Sequence, residues 1–264
     1  MQLGILEKAI NRIIKRHDAL RSCIKSHNGS PVLHFEREVR CHIELIDITS
    51  IDSEKRKAEL QLISKNHGLF VFNLSQAPLF RFKLVHFDRE EYYFLLNFHH
   101  LIFDNWSEGL FFKELSILYN SLVANLVPNL PTPEIQYADY VQWQNAQLQS
   151  EKISNQLKYW KTILNGATTV LEMPLDHPRK HVQTFNGAEV RLQFEPQLIA
   201  KLNELALGSG SSLYTTLLTA FALTLQRYTN QDDIVIGCPV ANRNHPELED
   251  IIGVFINNLP LRVS

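Results

Sequence analysis

The stretch Phe98-His99-His100-Leu101-Ile102-Phe103-Asp104-Asn105-Trp106-Ser107 puts two adjacent imidazoles at the end of the apolar run YYFLLN, with a carboxylate four positions past the second. An imidazole titrates near neutrality, so it can move a proton, ligate a metal, or sit in a core with its nitrogens satisfied. If the run stays a strand to its end, neighbouring side chains point to opposite faces. His100 then shares a face with Phe98, Leu96 and Phe94, and His99 with Asn97 and Leu95. One histidine faces a potential substrate while the other is a structural group that hydrogen-bonds its neighbours; a pair of satisfied core histidines is the plainer alternative. His, His and Asp are all metal-ligand types, but adjacent residues on opposite strand faces chelate one ion poorly, so no metal is expected. Asp104, across a short turn, can fold back to fix local geometry or pair with a distant cation.

The flanking elements have to hold these groups. FRFKLVHF (residues 80–87) alternates apolar and polar, as a strand with one wet face does. Asp88-Arg89-Glu90 reads as a turn, and EYYFLLNF as a strand apolar on both faces and therefore covered on both sides. WSEGLFFKELSILYNSLV has helical period, with Ser107 as its expected N-cap. Upstream, MQLGILEKAINRIIKRHDALRS is already helical in period and is followed by the strand candidates VLHFEREV and HIELIDIT, then a polar helix over Ser53–His67. Downstream, the connector NLVPNLPTPE leads to two amphipathic helices, YADYVQWQNAQLQ and one through Leu157-Lys158-Tyr159-Trp160.

From Asn165 to Gly187 the chain turns polar and irregular, which marks a crossing between two halves. Beyond it come a strand (EVRLQF), two helices (PQLIAKLNELALG and SSLYTTLLTAFALTLQRYTN) and two strands (DIVIGCPV and VFINNLPLRV). Strand–helix alternation on both sides predicts an α/β protein of two halves, residues 1–175 and 176–264.

Composition sets limits on function. With 264 residues, 45% of them hydrophobic, the chain is long enough for two core-bearing halves. A net charge of −2 offers no surplus of cations for nucleic acid or anionic membranes. No apolar run reaches membrane-spanning length, and no signal-peptide pattern opens the chain. Cys23, Cys41 and Cys238 are odd in number and unclustered, which suggests neither a disulfide framework nor a zinc site. A reducing cytoplasm is the expected setting.

FHHLIFDNWS resembles the HHxxxDG motif of condensation domains from nonribosomal peptide synthetases, and other stretches match in the same order. Arg16-His17-Asp18-Ala19-Leu20-Arg21-Ser22 resembles RHEALRT, and Tyr137-Ala138-Asp139-Tyr140-Val141-Gln142-Trp143-Gln144 resembles YxDYAxWQ. IGCPVANRNHPELEDIIGVFINNLPLR resembles GxPVAxR…IGxFVNTLPLR. The resemblance implies a chloramphenicol-acetyltransferase-like fold of two-layer α/β halves, the first nearly complete here and the second partial, with a tunnel between them. It implies an amide-forming acyltransferase, in which an aminoacyl acceptor attacks a donor acyl or peptidyl thioester. Both substrates ride on the 4'-phosphopantetheine arms of partner carrier proteins beside an adenylation domain, and this chain binds no cofactor of its own.

By motif position His100 is the residue that faces the reacting amine, as base or orienting group, and His99 and Asp104 organise the site. The resemblance pairs Asp104 with an arginine of the RHEALRT-like segment, Arg16 or Arg21, with Arg16 favoured. Asn105, Trp106, Ser107, Arg243 and Asn257 are carried over as residues near the tunnel.

Two features depart from the pattern. Asn105 stands where the family has a glycine. The chain also starts inside a helix and stops after a strand-like run, so it is expected to be an internal fragment. The DxxxxD of cyclising relatives is absent, whereas epimerisation domains share HHxxxD; the YADYVQWQ and GCPVANR stretches look more like ordinary condensation domains. The competing readings are a stand-alone acyltransferase of the same superfamily and a non-catalytic remnant that docks carrier proteins.

Overall fold

The computed structural model describes residues 2–184 and 187–263. Packing divides them into two compact units. The first runs to Ser150 and takes back Ala241–Asn257; the second is Glu151–Val240 together with the stretch from Asn258. The expected halves met instead at residue 175. The returning segment follows burial rather than chain order: Leu248, Ile251 and Phe255 are buried against Tyr140, which fixes Ala241–Asn257 to the first unit.

The first unit opens with α1 (Leu3–Arg16), whose apolar stripe Leu6, Ala9, Ile10, Ile13 and Ile14 is buried. Next come the hairpin β1 (Ser22–His27) and β2 (Ser30–Phe35), β3 (Ile43–Asp47) and α2 (Ser53–Gly68). The hairpin turns at Asn28 and Gly29, with φ of 51° and 79°, the left-handed pair that suits the twist of a two-residue turn. β4 (Phe80–Asp88) and β5 (Glu91–Phe98) follow, then α3 (Asn105–Val123) and α4 (Tyr137–Leu148).

β3, β4 and β5 form one sheet, with β3 parallel and β5 antiparallel to the central β4. α1 packs against α3, and both share a core with Phe80, Phe82 and Leu84 of β4. β5 carries Phe94, Leu96 and Phe98 to the same core. Its other face meets α2, where Asn97 Nδ2 donates to the His67 carbonyl at 2.6 Å. The strand that ends at the paired histidines thus meets packed elements on both faces, but none of its residues is fully buried and Tyr93 is exposed, so the cover is thinner than its apolar composition predicts.

The second unit contains α5 (Glu151–Ile163), α6 (Pro196–Gly208), α7 (Leu213–Thr229) and the paired strands β6 (Ile234–Val240) and β7 (Asn257–Val263), the last without its opening residue Asn257, which belongs to the first unit. Arg262 is its main polar tie: it meets Asp233 at 2.7 and 2.9 Å and donates to the carbonyls of Ile163 and Asn165.

Three predicted strands differ in the structure: VLHFEREV keeps only its first four residues in β2, which ends at Phe35. Residues 189–194 form no strand; Val190 and Leu192 are exposed, and among the described residues no neighbouring strand pairs with them. The last strand begins at Asn257 rather than Val254, because the Val254 carbonyl accepts from Tyr137 Oη and the Phe255 amide donates to Asp104.

Gly253 shows how tight this junction is. A Cβ there would run into the Tyr137 ring. That ring is pinned by its hydroxyl on the Val254 carbonyl at 3.0 Å and by edge contact with Phe255 at 5.4 Å. Gly253→Ala is expected to lose about 1–3 kcal/mol of stability through overpacking, read as a lower urea midpoint at unchanged slope. An unchanged midpoint would show that the ring has room to move.

Candidate active site

Asp104 is 4% exposed yet fully engaged. It is the N-cap of α3, with Oδ1 accepting from the Ser107 amide at 2.8 Å. Ser107 therefore lies inside the first turn, not at the cap position expected from sequence; the side chain three residues earlier reaches the free amides first. Oδ2 accepts from the Phe255 amide at 3.1 Å. Arg243 Nη2 lies 3.2 and 3.3 Å from the two carboxylate oxygens. The Ser107 hydroxyl has one proton and two acceptors in reach, Asp104 Oδ1 at 2.7 Å and the Gly253 carbonyl at 2.9 Å.

Asp104 and Arg243 side chains are only 3% and 1% exposed. Two charges so buried persist only when paired and further hydrogen-bonded. Arg243 Nη1 donates to the carbonyls of Leu248 and Ile251, and the guanidinium lies 4.0 Å from the Phe255 ring centre. Burial draws Arg243 below its ordinary pKa, against the pull of Asp104. The residue before it, Asn242, has φ of 54° and so turns the chain in the left-handed region, which asparagine tolerates.

This anchorage holds the turn that carries the histidines. β5 ends at Phe98, so strand alternation stops before His100. The His99 amide still donates to the Leu79 carbonyl at 2.8 Å, and the Ile102 amide donates to the His99 carbonyl at 3.1 Å. Either side of the turn, the Phe98 and Phe103 rings stack at 3.8 Å. His99 Nδ1 accepts from the Leu101 amide at 3.1 Å, so its neutral ring carries the proton on Nε2, and Phe72 meets the ring edge-on at 6.0 Å. His100 sits in the turn and is exposed. One imidazole is fixed by the backbone and the other is presented outward.

Neither Arg16 nor Arg21 pairs with Asp104. Arg16 makes a two-pronged contact with Glu114 of α3 at 3.0 and 3.1 Å, and Arg21 Nη1 donates to the Glu36 carbonyl at 2.6 Å. Arg16 ends the helix that lies along α3, which puts the α3 carboxylate in its reach, while Asp104 is enclosed by the Ala241–Asn257 segment. Buried Glu114 also meets His17 Nε2 at 3.0 Å. Desolvation pushes this carboxyl upward, but the bonds from His17 and Arg16 outweigh it and hold Glu114 below the usual range.

A depressed carboxyl contributes stability that is complete above the unfolded value, about 4.3, and is lost as pH falls through the folded value. The stability gap between native chain and Glu114→Gln is therefore expected to be full at neutral pH and to shrink on acidification to about pH 3.5. Urea unfolding at both pH values reads it; an equal gap at both would contradict the pairing.

Along its whole length, residues 1–264, the chain matches the Condensation domain family. A linear gramicidin synthase polypeptide of Brevibacillus parabrevis is 40% identical over 264 residues, covering 100% of this chain and 5% of that protein. The chain belongs to the condensation-domain family. Phosphinothricin tripeptide synthetase PhsC of Streptomyces viridochromogenes is 36% identical over 256 residues, 97% of this condensation domain and 24% of that protein. The chain thus spans a small part of these relatives.

Among solved structures, the X-domain from teicoplanin biosynthesis has a TM-score of 0.87 at 24% identity, covering 99% of this chain and 58% of that one. The first condensation domain of the calcium-dependent antibiotic synthetase gives 0.83 at 19%, covering 100% and 62%. The fold is that of this chloramphenicol-acetyltransferase-like group.

The remaining site candidates of the condensation domain fall into two sets. Ser107 and Arg243, expected near the tunnel, are buried and hold Asp104 instead; both point inward because the carboxylate they bind is internal. Asn105, Trp106 and Asn257 are exposed. Trp106 Nε1 donates to the Glu249 carbonyl at 3.0 Å, a second tie between α3 and the returning segment. Asn105 is the first residue of α3. Its backbone is not among the positive-φ positions, so the conformation of the chain there does not call for a glycine. Sequence reasoning missed the Phe255 amide and the Gly253 carbonyl, because backbone groups leave no signature in residue type.

Proposed function

We propose that this condensation domain forms an amide between two carrier-bound substrates, an acyl or peptidyl thioester donor and an aminoacyl thioester acceptor, with His100 at the reacting amine. The observation that carries this reading is the division of labour in the turn: His99 is fixed by the Leu101 amide, while His100 is exposed beside it on a turn braced by Asp104 and Arg243. The relatives' names support it, since they are synthases of gramicidin and of a phosphinothricin tripeptide.

In this reaction the amine nitrogen bonds to the donor carbonyl carbon, the carbon–sulfur bond breaks, and the amine proton ends on the departing sulfur. A free amine with pKa of about 8 is partly nucleophilic near neutrality, so positioning by His100 contributes alongside proton removal. Asp104 and Arg243 act through the turn and touch no substrate. The partners are an upstream donor carrier and a downstream acceptor carrier, each bearing 4'-phosphopantetheine, next to an adenylation domain. Among the described residues no helix is long and apolar enough to cross a membrane.

The test is a single-turnover reaction with loaded donor and acceptor carriers, followed by mass spectrometry of the acceptor arm, using this chain and a version extended to the length of the solved condensation domains. Transfer of the donor acyl group onto the acceptor amine supports the proposal. No transfer by either folded protein, with matched substrates, would leave a carrier-docking role and overturn the catalytic one.

A further inference from the structure

The outward side of α1, opposite its buried stripe, forms one wall of a concave groove of about 700 Å³ that none of the active-site residues lines. Lys8, Arg12 and Lys15 project from α1 at helical spacing, so they share one face. Arg37 and Arg40 come from the loop after β2, and Arg21 from the turn after α1.

The loop is fastened to the helix. Asn11 Nδ2 donates to the Cys41 carbonyl at 3.1 Å, its Oδ1 accepts from the Cys41 amide at 2.8 Å, and the Ile43 amide donates to Glu7 at 2.9 Å. This clamp fixes the loop's arginines against the basic stripe of α1. Arg21 is tied by Nη1 to the Glu36 carbonyl, and its Nε is buried without an acceptor.

Six cations thus line a groove that holds one carboxylate, Glu38, already bound to Arg40 at 2.7 Å. Lys8, Arg12, Lys15 and Arg37 make no ion pair among the described residues. The whole chain carries a net charge of −2, so this concentration is local and not a general basicity. Gathered like charges repel, and an anion seated among them relieves that repulsion. Four of the six are arginines, whose planar fork matches the oxygens of a phosphate.

We propose that this groove binds the phosphate groups of a phosphorylated ligand. The proposal is independent of the amide-forming reading, because binding is read without turnover. The same phosphate chemistry reaches the groove either on a free phosphorylated molecule or on a phosphopantetheine arm, and the experiment separates the two sources.

Pyrophosphate is titrated calorimetrically into the native chain, Arg12→Gln/Arg37→Gln and the control Arg89→Gln, at low and high salt. Lys8→Gln/Lys15→Gln is a second pair of changes in exposed side chains, for use if the first pair fails to fold. Saturable binding is expected, at least about tenfold weaker in either groove variant, unchanged in Arg89→Gln and weakened by salt. Displacement by phosphopantetheinylated carrier but not by unmodified carrier assigns the phosphate to the arm; displacement by neither assigns it to a free ligand. No saturable binding, equal affinity in the groove variants, or binding of a polyglutamate peptide as tight as pyrophosphate would overturn the proposal. So would equal displacement by both carrier forms, which would identify an acidic protein surface instead.

Discussion

Asp104→Ala is expected to destabilise the first unit by about 3–5 kcal/mol, because it strands the Arg243 guanidinium in a site where the side chain is 1% exposed. The same change strips the N-cap of α3, worth about 1 kcal/mol, and leaves the Phe255 amide without its acceptor. Asp104→Asn separates these effects: an amide oxygen still caps the helix, but the charge that balances Arg243 is gone. Asp104→Asn should recover the cap contribution and no more.

A double-mutant cycle gives the sharper reading. With both charges removed, Asp104→Ala/Arg243→Ala should cost clearly less than the sum of the single changes, because neither partner is then left buried alone. Urea denaturation measures each variant. Additive losses, or a loss below about 1 kcal/mol for Asp104→Ala, would show that the pair is not what holds the turn.

The second large effect is on chemistry, not on folding. His100 is exposed in the turn, so His100→Ala should leave the urea midpoint unchanged and lower the single-turnover rate of amide formation by about 10²–10⁴-fold, the usual range for a general acid–base group. His99 should behave differently. Its ring accepts from the Leu101 amide and packs on Phe72, so His99→Ala should lower both stability and rate. Equal behaviour of the two variants would remove the distinction between a presented and a braced imidazole.

Several of these features were legible in the residues, and the reasons differ. The alternation of FRFKLVHF and the apolar run after it located β4, β5 and the turn between them, because burial on known faces writes itself into residue type. The doubled histidine marked the place where the strand ends. The partner of Asp104 was not legible. Arg16, Arg21 and Arg243 are the same side chain, and only the path of the chain decides which of them arrives; Arg243 comes from 139 residues away. The cap of α3 was misplaced for a related reason, since Asp104 and Ser107 are both good caps and the first to meet free amides takes the role.

A signal for the first hairpin was present in Asn28-Gly29, a strong two-residue turn pair, but the strand Ser22–His27 before it is short and polar. Residues 189–194 show the opposite error. EVRLQF has an alternating pattern, yet a strand needs a neighbour to take its hydrogen bonds, and a pattern does not report whether one is there.

The central claim is that a turn anchored by Asp104 and Arg243 presents His100 to a reacting amine. Its most direct test is the single-turnover rate of acyl transfer between loaded carriers for native protein and His100→Ala, each first shown to unfold at the same urea concentration. Transfer by the native protein, and a rate at least about 100-fold lower in a variant of equal stability, is the predicted result. Equal rates in the two proteins would contradict the account and move the chemistry to another group.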